Sequence, residues 1–141
     1  MLMALSVISR AQDTPQPAAG WAGNPDSWLV GSWGTQKTHI SIRRDGSQLV
    51  WNYRRDPGAV NERWGEKVPA TAEGAISSIT GCKVEMKGRY TSYSGATPHI
   101  SNRAVGSSMD YVVTFDGGAS LSGRGIGFGR QWFDVVWRRA P

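Results

Sequence analysis

Five large aromatic residues stand at alternate positions of strand-like segments, where they could line a binding cavity. They are Trp51, Tyr53, Tyr90, Tyr111 and Trp137. Indole and phenol rings offer apolar contact area, and their N–H and O–H groups can orient a ligand through hydrogen bonds. This set predicts the binding of a small, partly apolar molecule. The same rings could instead fill the interior of a β-structure, and the sequence leaves that alternative open.

Basic residues extend the predicted site and suit an anionic ligand. Arg54 follows Tyr53, and Arg103 shares the long irregular stretch 92–105 with Tyr93. A second irregular stretch, 56–62, could bound the same cavity mouth, since long loops in compact domains often carry function. The predicted ligand-binding residues are Trp51, Tyr53, Arg54, Tyr90, Tyr93, Arg103, Tyr111 and Trp137.

The sequence shows no recognisable catalytic or metal-binding pattern. His39 and His99 are far apart, and neither lies beside a serine or the single cysteine, Cys82. Most acidic residues fall in turn-like stretches, so no paired acid and base can be identified. One cysteine allows no intrachain disulfide and, with two distant histidines, predicts no metal site. We therefore expect a binding protein without a cofactor rather than an enzyme.

A glycine-rich run, 123–129, has the spacing of a phosphate-binding loop. Such a loop needs a parallel strand before it and a helix after it, and neither is predicted here. Alternate glycines in a strand more simply let a sheet coil tightly or accept bulky side chains from across a barrel. We expect Phe128 and Trp132 to cover these glycines.

The elements that position all these residues are predicted to be β-strands. Polar and apolar residues alternate, and no segment has a sustained helical period, so only 57–63 is expected to hold a turn of helix. Turn signals such as Asp45-Gly46, Glu73-Gly74 and Asp116-Gly117 separate the segments. The predicted strands are 28–35, 38–44, 47–55, 63–70, 75–80, 82–91, 106–116, 120–128 and 131–139.

The alternation also predicts which side chains face inward. Four sets share this orientation, and they are Cys82, Val84, Met86 and Tyr90, then Met109, Tyr111, Val113 and Phe115, then Leu49, Trp51 and Tyr53, and finally Phe133, Val135 and Trp137. Nine strands, or eight if 75–91 is one strand bulged at Gly81, can close into a single antiparallel up-and-down barrel, which removes exposed edges. A β-sandwich is the alternative. We expect the barrel domain to span 27–141, after an N-terminal arm and linker, 1–26.

The first and last predicted strands resemble those of the calycin group, which includes lipocalins, avidins and fatty-acid-binding proteins. Gly31-Ser32-Trp33 matches the Gly-x-Trp of their first strand, and Arg138 and Arg139 lie in the last strand, where those proteins carry an arginine packed on the tryptophan. The resemblance implies structural roles for Gly31, Trp33 and Arg139 at one sealed end of a barrel. It also allows a second class, small secreted inhibitors of similar shape.

Charge and the N-terminal residues bear on partners and location. The 16 basic and 11 acidic residues leave a net charge of +5, but the basic residues are scattered in pairs, so we expect no nucleic-acid site. The apolar run 1–9 is too short to span a membrane, and with Ser9-x-Ala11 it could be part of an export signal. A disordered cytoplasmic arm is the alternative.

Two functional hypotheses follow. The first is an exported, periplasmic or secreted barrel that binds a small, partly apolar or anionic ligand. The second is a protein-interaction barrel, such as an inhibitor of an envelope or secreted enzyme, that uses the stretch 93–103. The oligomeric state cannot be predicted from these patterns.

Overall fold

The chain forms one closed barrel of eight antiparallel strands, as the alternation predicts, and not a sandwich. The computed structural model describes residues 24–56, 60–61, 66–67, 69–94, 102–128 and 132–140. In chain order the strands are β1 (Gly31–Gly34), β2 (Thr38–Asp45), β3 (Gln48–Arg55), β4 (Val60–Asn61), β5 (Glu66–Lys67), β6 (Ala70–Thr80), β7 (Lys83–Tyr93), β8 (Ser108–Phe115), β9 (Ser120–Ile126) and β10 (Trp132–Arg139). The predicted leader, 1–9, lies outside the described residues.

The barrel is a simple meander. Each of its strands pairs with the next barrel strand along the chain, and β10 returns to pair with β1. The short strands β4 and β5 pair with each other in a separate two-stranded sheet between β3 and β6. Connections of this kind need only tight turns, which explains the frequent glycines of the sequence.

Two of the predicted turns are confirmed. Gly46 adopts a φ of 64° between β2 and β3, and Gly117 adopts a φ of 88° between β8 and β9. At the second turn, the Asp116 carboxylate accepts hydrogen bonds from the backbone N–H groups of Gly118 and Ser120, at 2.8 and 3.1 Å. These bonds hold the pKa of Asp116 below its usual value.

The prediction is wrong at the start of β6, whereas the predicted separation of 75–80 from 82–91 into two strands is confirmed. β6 begins at Ala70 rather than at 75, and Glu73-Gly74 lies inside this strand instead of in a turn. Gly74 is paired with Gly88 of β7, and a Cβ on Gly74 would stand 2.0 Å from the Lys87 carbonyl oxygen, so the glycine serves close strand contact. The chain reverses at Gly81, whose φ is 61°, which makes β6 and β7 separate strands.

Helical structure is limited to two short stretches among the described residues, and neither is where the sequence predicted one. A 3-10 turn, Pro25–Ser27, precedes β1, and residues 102–104 are helical. Most of the predicted stretch 57–63 lies outside the described residues. None of the described helical segments is long and apolar enough to cross a membrane.

The core follows the predicted alternation on three of the four strands for which inward sets were predicted, and departs from it on β10. The inward sets of β3, β7 and β8 are buried. On β10, Trp137 is buried, whereas Val135 is only partly buried and Phe133 is 37% exposed. β1 is too short to cover the first part of β10, so inward-facing side chains there remain open to solvent.

One end of the barrel is sealed by the contact between its first and last strands. The Arg139 guanidinium carbon lies 4.1 Å from the centre of the Trp33 ring. Arg139 also donates hydrogen bonds to the carbonyl oxygens of Trp28 and Val30, which come just before β1. A Cβ on Gly31 would stand 3.0 Å from an Arg139 nitrogen, so glycine makes room for the guanidinium. The structure thus contains the Trp33–Arg139 contact that the sequence predicts.

Candidate ligand-binding site

The candidate site lies at the other end of the barrel, where β3 and β7 finish. Alternation along β3 turns Tyr53 and Arg55 inward, and β7 contributes Tyr90 and Tyr93. Two small residues of β6 lie between them in register, since Ala70 pairs with Arg55 and Tyr93, and Ala72 pairs with Tyr53 and Tyr90. Alanines between four large side chains leave room above the sheet, so the four can converge on one volume.

Arg55 is the one buried charged residue in the described part of the chain, with 8% of its surface exposed. One guanidinium nitrogen donates to the Tyr53 hydroxyl at 3.4 Å, and the guanidinium carbon lies 5.5 Å from the centre of the Tyr93 ring. Tyr93 in turn contacts Tyr90 and Phe128 edge-on, at centroid distances of 5.5 and 5.7 Å. Three tyrosines, Tyr53, Tyr90 and Tyr93, thus contribute to the surroundings of this cation.

The electrostatics keep the arginine charged and the tyrosines neutral. Burial raises the pKa of Tyr53 and of Tyr111, and it raises the pKa of Tyr90 to about 12. Burial acts to lower the pKa of Arg55, but its interactions with Tyr53, Tyr90 and Tyr93 outweigh that effect and raise it. At neutral pH the site thus presents a positive charge with hydroxyl groups around it.

A packed aromatic layer forms the floor beneath this site. Tyr111 lies at its centre, 4.7 Å from the Trp137 ring and 5.9 Å from the Trp51 ring, and all three are at most 2% exposed. Trp51 also donates its indole N–H to the Ala75 carbonyl oxygen at 3.2 Å. These three rings therefore pack against one another inside the barrel, next to the Arg55 site.

A glycine of β9 and one just after it make room for these rings. A Cβ on Gly125 would stand 2.5 Å from a Tyr111 ring carbon, and one on Gly127 would stand 2.6 Å from the Tyr90 hydroxyl oxygen. Gly125 and Gly127 therefore serve close packing, and the strand conformation of 123–126 does not match a phosphate-binding loop. Of the two predicted covering rings, Trp132 faces outward, with the Arg124 guanidinium carbon 5.0 Å from its ring centre.

The predicted site residues separate into three groups. Tyr53, Tyr90 and Tyr93 come together around Arg55, whereas Trp51, Tyr111 and Trp137 belong to the floor. The structure places the remaining two elsewhere. Arg54 lies on the outer face, where its Nε donates to the Asp56 carboxylate at 2.8 Å, and Arg103 is exposed on the helical stretch 102–104.

Arg55 is not among the predicted site residues, although its position along β3 indicates an inward side chain. Arg55 is two residues beyond Tyr53 and so shares the inward parity of Leu49 and Trp51, whereas Arg54 has the outward parity. An arginine at an inward position is unusual, because burying a charge costs free energy. Of the two predicted mouth loops, 57–59 and 62 of the first and 95–101 of the second lie outside the described residues, and β7 extends into the second as far as Tyr93.

A concave surface lies on the outside of the barrel. It is an open groove of roughly 690 Å³ across β2, β3, β6 and β7, lined by residues of both charges such as Arg43, Glu73 and Lys87. Its side chains are outward-facing residues of the sheet, which water can solvate freely. It therefore lacks the buried charge that distinguishes the Arg55 site.

Comparison with known protein families, with curated proteins and with solved structures finds no significant match to this chain. No group of three or more metal-ligating side chains lies among the described residues. The site must therefore be interpreted from its own geometry.

The raised tyrosine pKa values predict how stability depends on pH. The pKa of Tyr90 is about 12 in the fold and about 10 in an unfolded chain, so folding favours the neutral phenol. The stabilisation from this group is fully present below about pH 10 and is lost as the pH rises through about 12. We expect the free energy of unfolding to fall more steeply over this range for the wild type than for Tyr90→Phe. Identical pH profiles from chemical denaturation of the two proteins would contradict the assignment.

Proposed function

We propose that this barrel binds a small organic anion at the open end, with the anionic group against Arg55. The observation that carries the proposal is the buried guanidinium among Tyr53, Tyr90 and Tyr93. Taking a charge out of water is costly, and apolar residues of similar volume often stabilise a fold as well or better. A cation kept in this position is therefore more useful for recognition than for stability.

The surroundings define the chemical class of the ligand. A carboxylate, phosphate or sulfonate can take paired hydrogen bonds from a guanidinium, and the tyrosine hydroxyls can donate further ones. We expect the apolar body of the ligand to pack beside the rings of Tyr93 and Phe128, which contact each other at 5.7 Å. Because the aromatic floor is packed, the ligand that fits is short or flat rather than a long chain reaching through the barrel.

We infer in addition that the barrel is calycin-like. The inference is supported by Gly31 and Trp33 in the first strand and by Arg139 of the last strand stacked on Trp33. The meander of eight strands is compatible with it. A calycin-like barrel keeps one sealed end and one open end, which agrees with a ligand site placed opposite the Trp33–Arg139 contact.

Calorimetric titration with a panel of anions tests the proposed function. Benzoate, indole acetate, phenyl phosphate and decanoate represent flat, bulky, phosphorylated and long-chain candidates. We expect the wild type to bind at least one of the first three, and Arg55→Gln to weaken that binding about tenfold or more, since hydrogen bonds to charged groups contribute about 1.5–3 kcal/mol.

Two variants serve as controls for this titration. Arg54→Gln removes the same charge from the neighbouring outward position and should leave binding unchanged. Arg55→Lys keeps the charge but loses the planar fork, so it should bind with intermediate affinity. The proposal fails if no anion binds the wild type at about 10 mM, a concentration at which even a Kd in the millimolar range would register. It fails equally if Arg54→Gln and Arg55→Gln weaken binding alike.

A further inference from the structure

The first part of β10 is an open sheet edge. β1 has only four residues and ends at Gly34, so among the described residues it pairs with just two residues of β10, Arg138 and Arg139. Residues 132–137 pair with β9 on one side and have no strand partner in the described chain on the other. An unpaired row of backbone groups is a template for adding another strand.

The hydrogen-bond pattern shows which residues direct their backbone groups to this edge. The Arg139 N–H donates to Ala119, on the β9 side, and the Ala140 N–H donates to Ser32, on the β1 side, both at 2.8 Å. Successive residues of an antiparallel strand alternate in this respect. Trp132, Asp134 and Val136 therefore point their N–H and C=O groups at the open edge, and their side chains lie on the outer face of the barrel.

The exposed large apolar side chains of the described residues are concentrated at this edge. Trp132 is 46% exposed, Val136 is 51% exposed and Phe133 is 37% exposed, and Val105 is the only other large apolar residue exposed to this degree in the described chain. Edge strands are usually protected by proline, charged side chains or a bulge. Residues 132–137 contain no proline and a single charged residue, Asp134, and their register with β9 is regular.

We propose that two copies of this chain associate by pairing their β10 edges in antiparallel orientation, with the two-fold axis at Asp134. In this register all three edge-directed residues find a partner, which gives about six new backbone hydrogen bonds. Trp132 then lies opposite Val136 of the partner subunit, and the reverse pair forms as well. A shift of the register by one step would lose one of the three pairs, because Arg138 is already paired with Gly34.

The self-complementary register points to a second copy as the occupant, and charge across the joined sheet is balanced overall although not at its centre. Asp134 stands opposite Arg124 of β9, so the four strands of the joined sheet would carry a row of arginine, aspartate, aspartate and arginine. This row has no net charge, in a chain whose overall charge is +5. The two central carboxylates still oppose each other, and the edge is short, so the dimer is expected to be a weak one of the transient class.

Sedimentation equilibrium of the full chain at protein concentrations up to about 1 mM tests the proposal, because interfaces of this small size associate in that range. We expect a concentration-dependent dimer. Val136→Pro removes an edge-directed N–H while leaving the β9 pairing intact, and should weaken association about tenfold or more. Trp132→Glu should also weaken association about tenfold or more. Because the new carboxylate can pair with Arg124 in the monomer, this variant is expected to fold, and it tests the proposal even if the proline variant misfolds.

Asp134→Asn gives the opposite prediction. Removing the two opposed carboxylates should tighten the dimer several-fold, since like charges directly opposite are destabilising. Asp45→Asn makes the same charge change at an exposed position of β2 and should leave association unchanged. A wild type that stays monomeric at all concentrations overturns the proposal, and this would also be the result if another protein's strand occupied the edge. A dimer unaffected by changes at Val136, Trp132 and Asp134 overturns it too.

Discussion

Replacing Gly88 with alanine is expected to destabilise the barrel by about 3 kcal/mol or more, because the new methyl group has no space. A Cβ at this position would lie 2.2 Å from the Glu73 carbonyl oxygen and 2.6 Å from a ring carbon of Trp51. The first neighbour is backbone of the adjacent strand, and the second belongs to the buried aromatic floor. Moving the first would separate β6 from β7, and moving the second would disturb the packing of the floor.

The matched control for this prediction is Gly118→Ala. A Cβ on Gly118 would meet only the Asp116 carboxylate oxygen, at an ordinary 3.6 Å, on an exposed turn. Chemical denaturation should show a change within about 0.5 kcal/mol for this variant, as at other exposed sites. Equal effects at Gly88 and Gly118 would mean that the strands do not approach each other as described.

The second large effect is expected at the sealed end. Trp33→Ala should cost about 3–5 kcal/mol, which approaches the whole stability of many domains of this size. Trp33 is 1% exposed, donates its indole N–H to the Leu29 carbonyl oxygen at 2.9 Å and packs edge-on against Phe115. Its loss would also remove the surface on which Arg139 stacks.

Trp132→Ala is the control, because it deletes the same side chain at an exposed position of β10. We expect it to change the free energy of unfolding by less than about 1 kcal/mol. Arg139→Met should fall between the two, since it keeps apolar contact with Trp33 but loses the hydrogen bonds to Trp28 and Val30. A Trp33→Ala protein as stable as Trp132→Ala would show that the first and last strands do not close the barrel.

Much of the fold could be predicted because side-chain alternation is a local property of a strand. The inward orientation of Met86, Tyr111 and Trp51 follows from period-two patterning, and the turn at Gly46 follows from the need for a positive φ. Glu73-Gly74 misled the prediction for a physical reason. Glycine serves a tight turn and a close strand contact equally well, and only the partner strand decides between them.

The candidate site was predicted less well than the fold. Tyr53, Tyr90 and Tyr93 were predicted to bind ligand because of their residue type and their inward or loop positions. Their closeness in space depends on the register that places Ala70 and Ala72 between them. Register across β6 depends on two bulges that no local pattern indicates. The exposure of Phe133 could not be predicted from its own strand either, because it results from the shortness of β1, a different strand of the sheet.

The two ends of the barrel show why function is expected at one of them. At the sealed end the Arg139 guanidinium contacts a carbonyl oxygen and the Trp33 ring, and these contacts join the last strand to the first. At the opposite end the Arg55 guanidinium lies among tyrosines that burial keeps neutral. The first arrangement joins two strands, and the second is where we propose that an anion binds.

The most direct test of the anion site is a crystal structure of the protein soaked with para-bromobenzoate, with the bromine located by its anomalous scattering. Our account predicts one bound molecule at the open end, with its carboxylate on Arg55 and its ring beside Tyr93, and no such molecule in crystals of Arg55→Gln. Bromine located only in the outer groove beside Arg43 and Lys87, or an unchanged bromine position in Arg55→Gln, would contradict it.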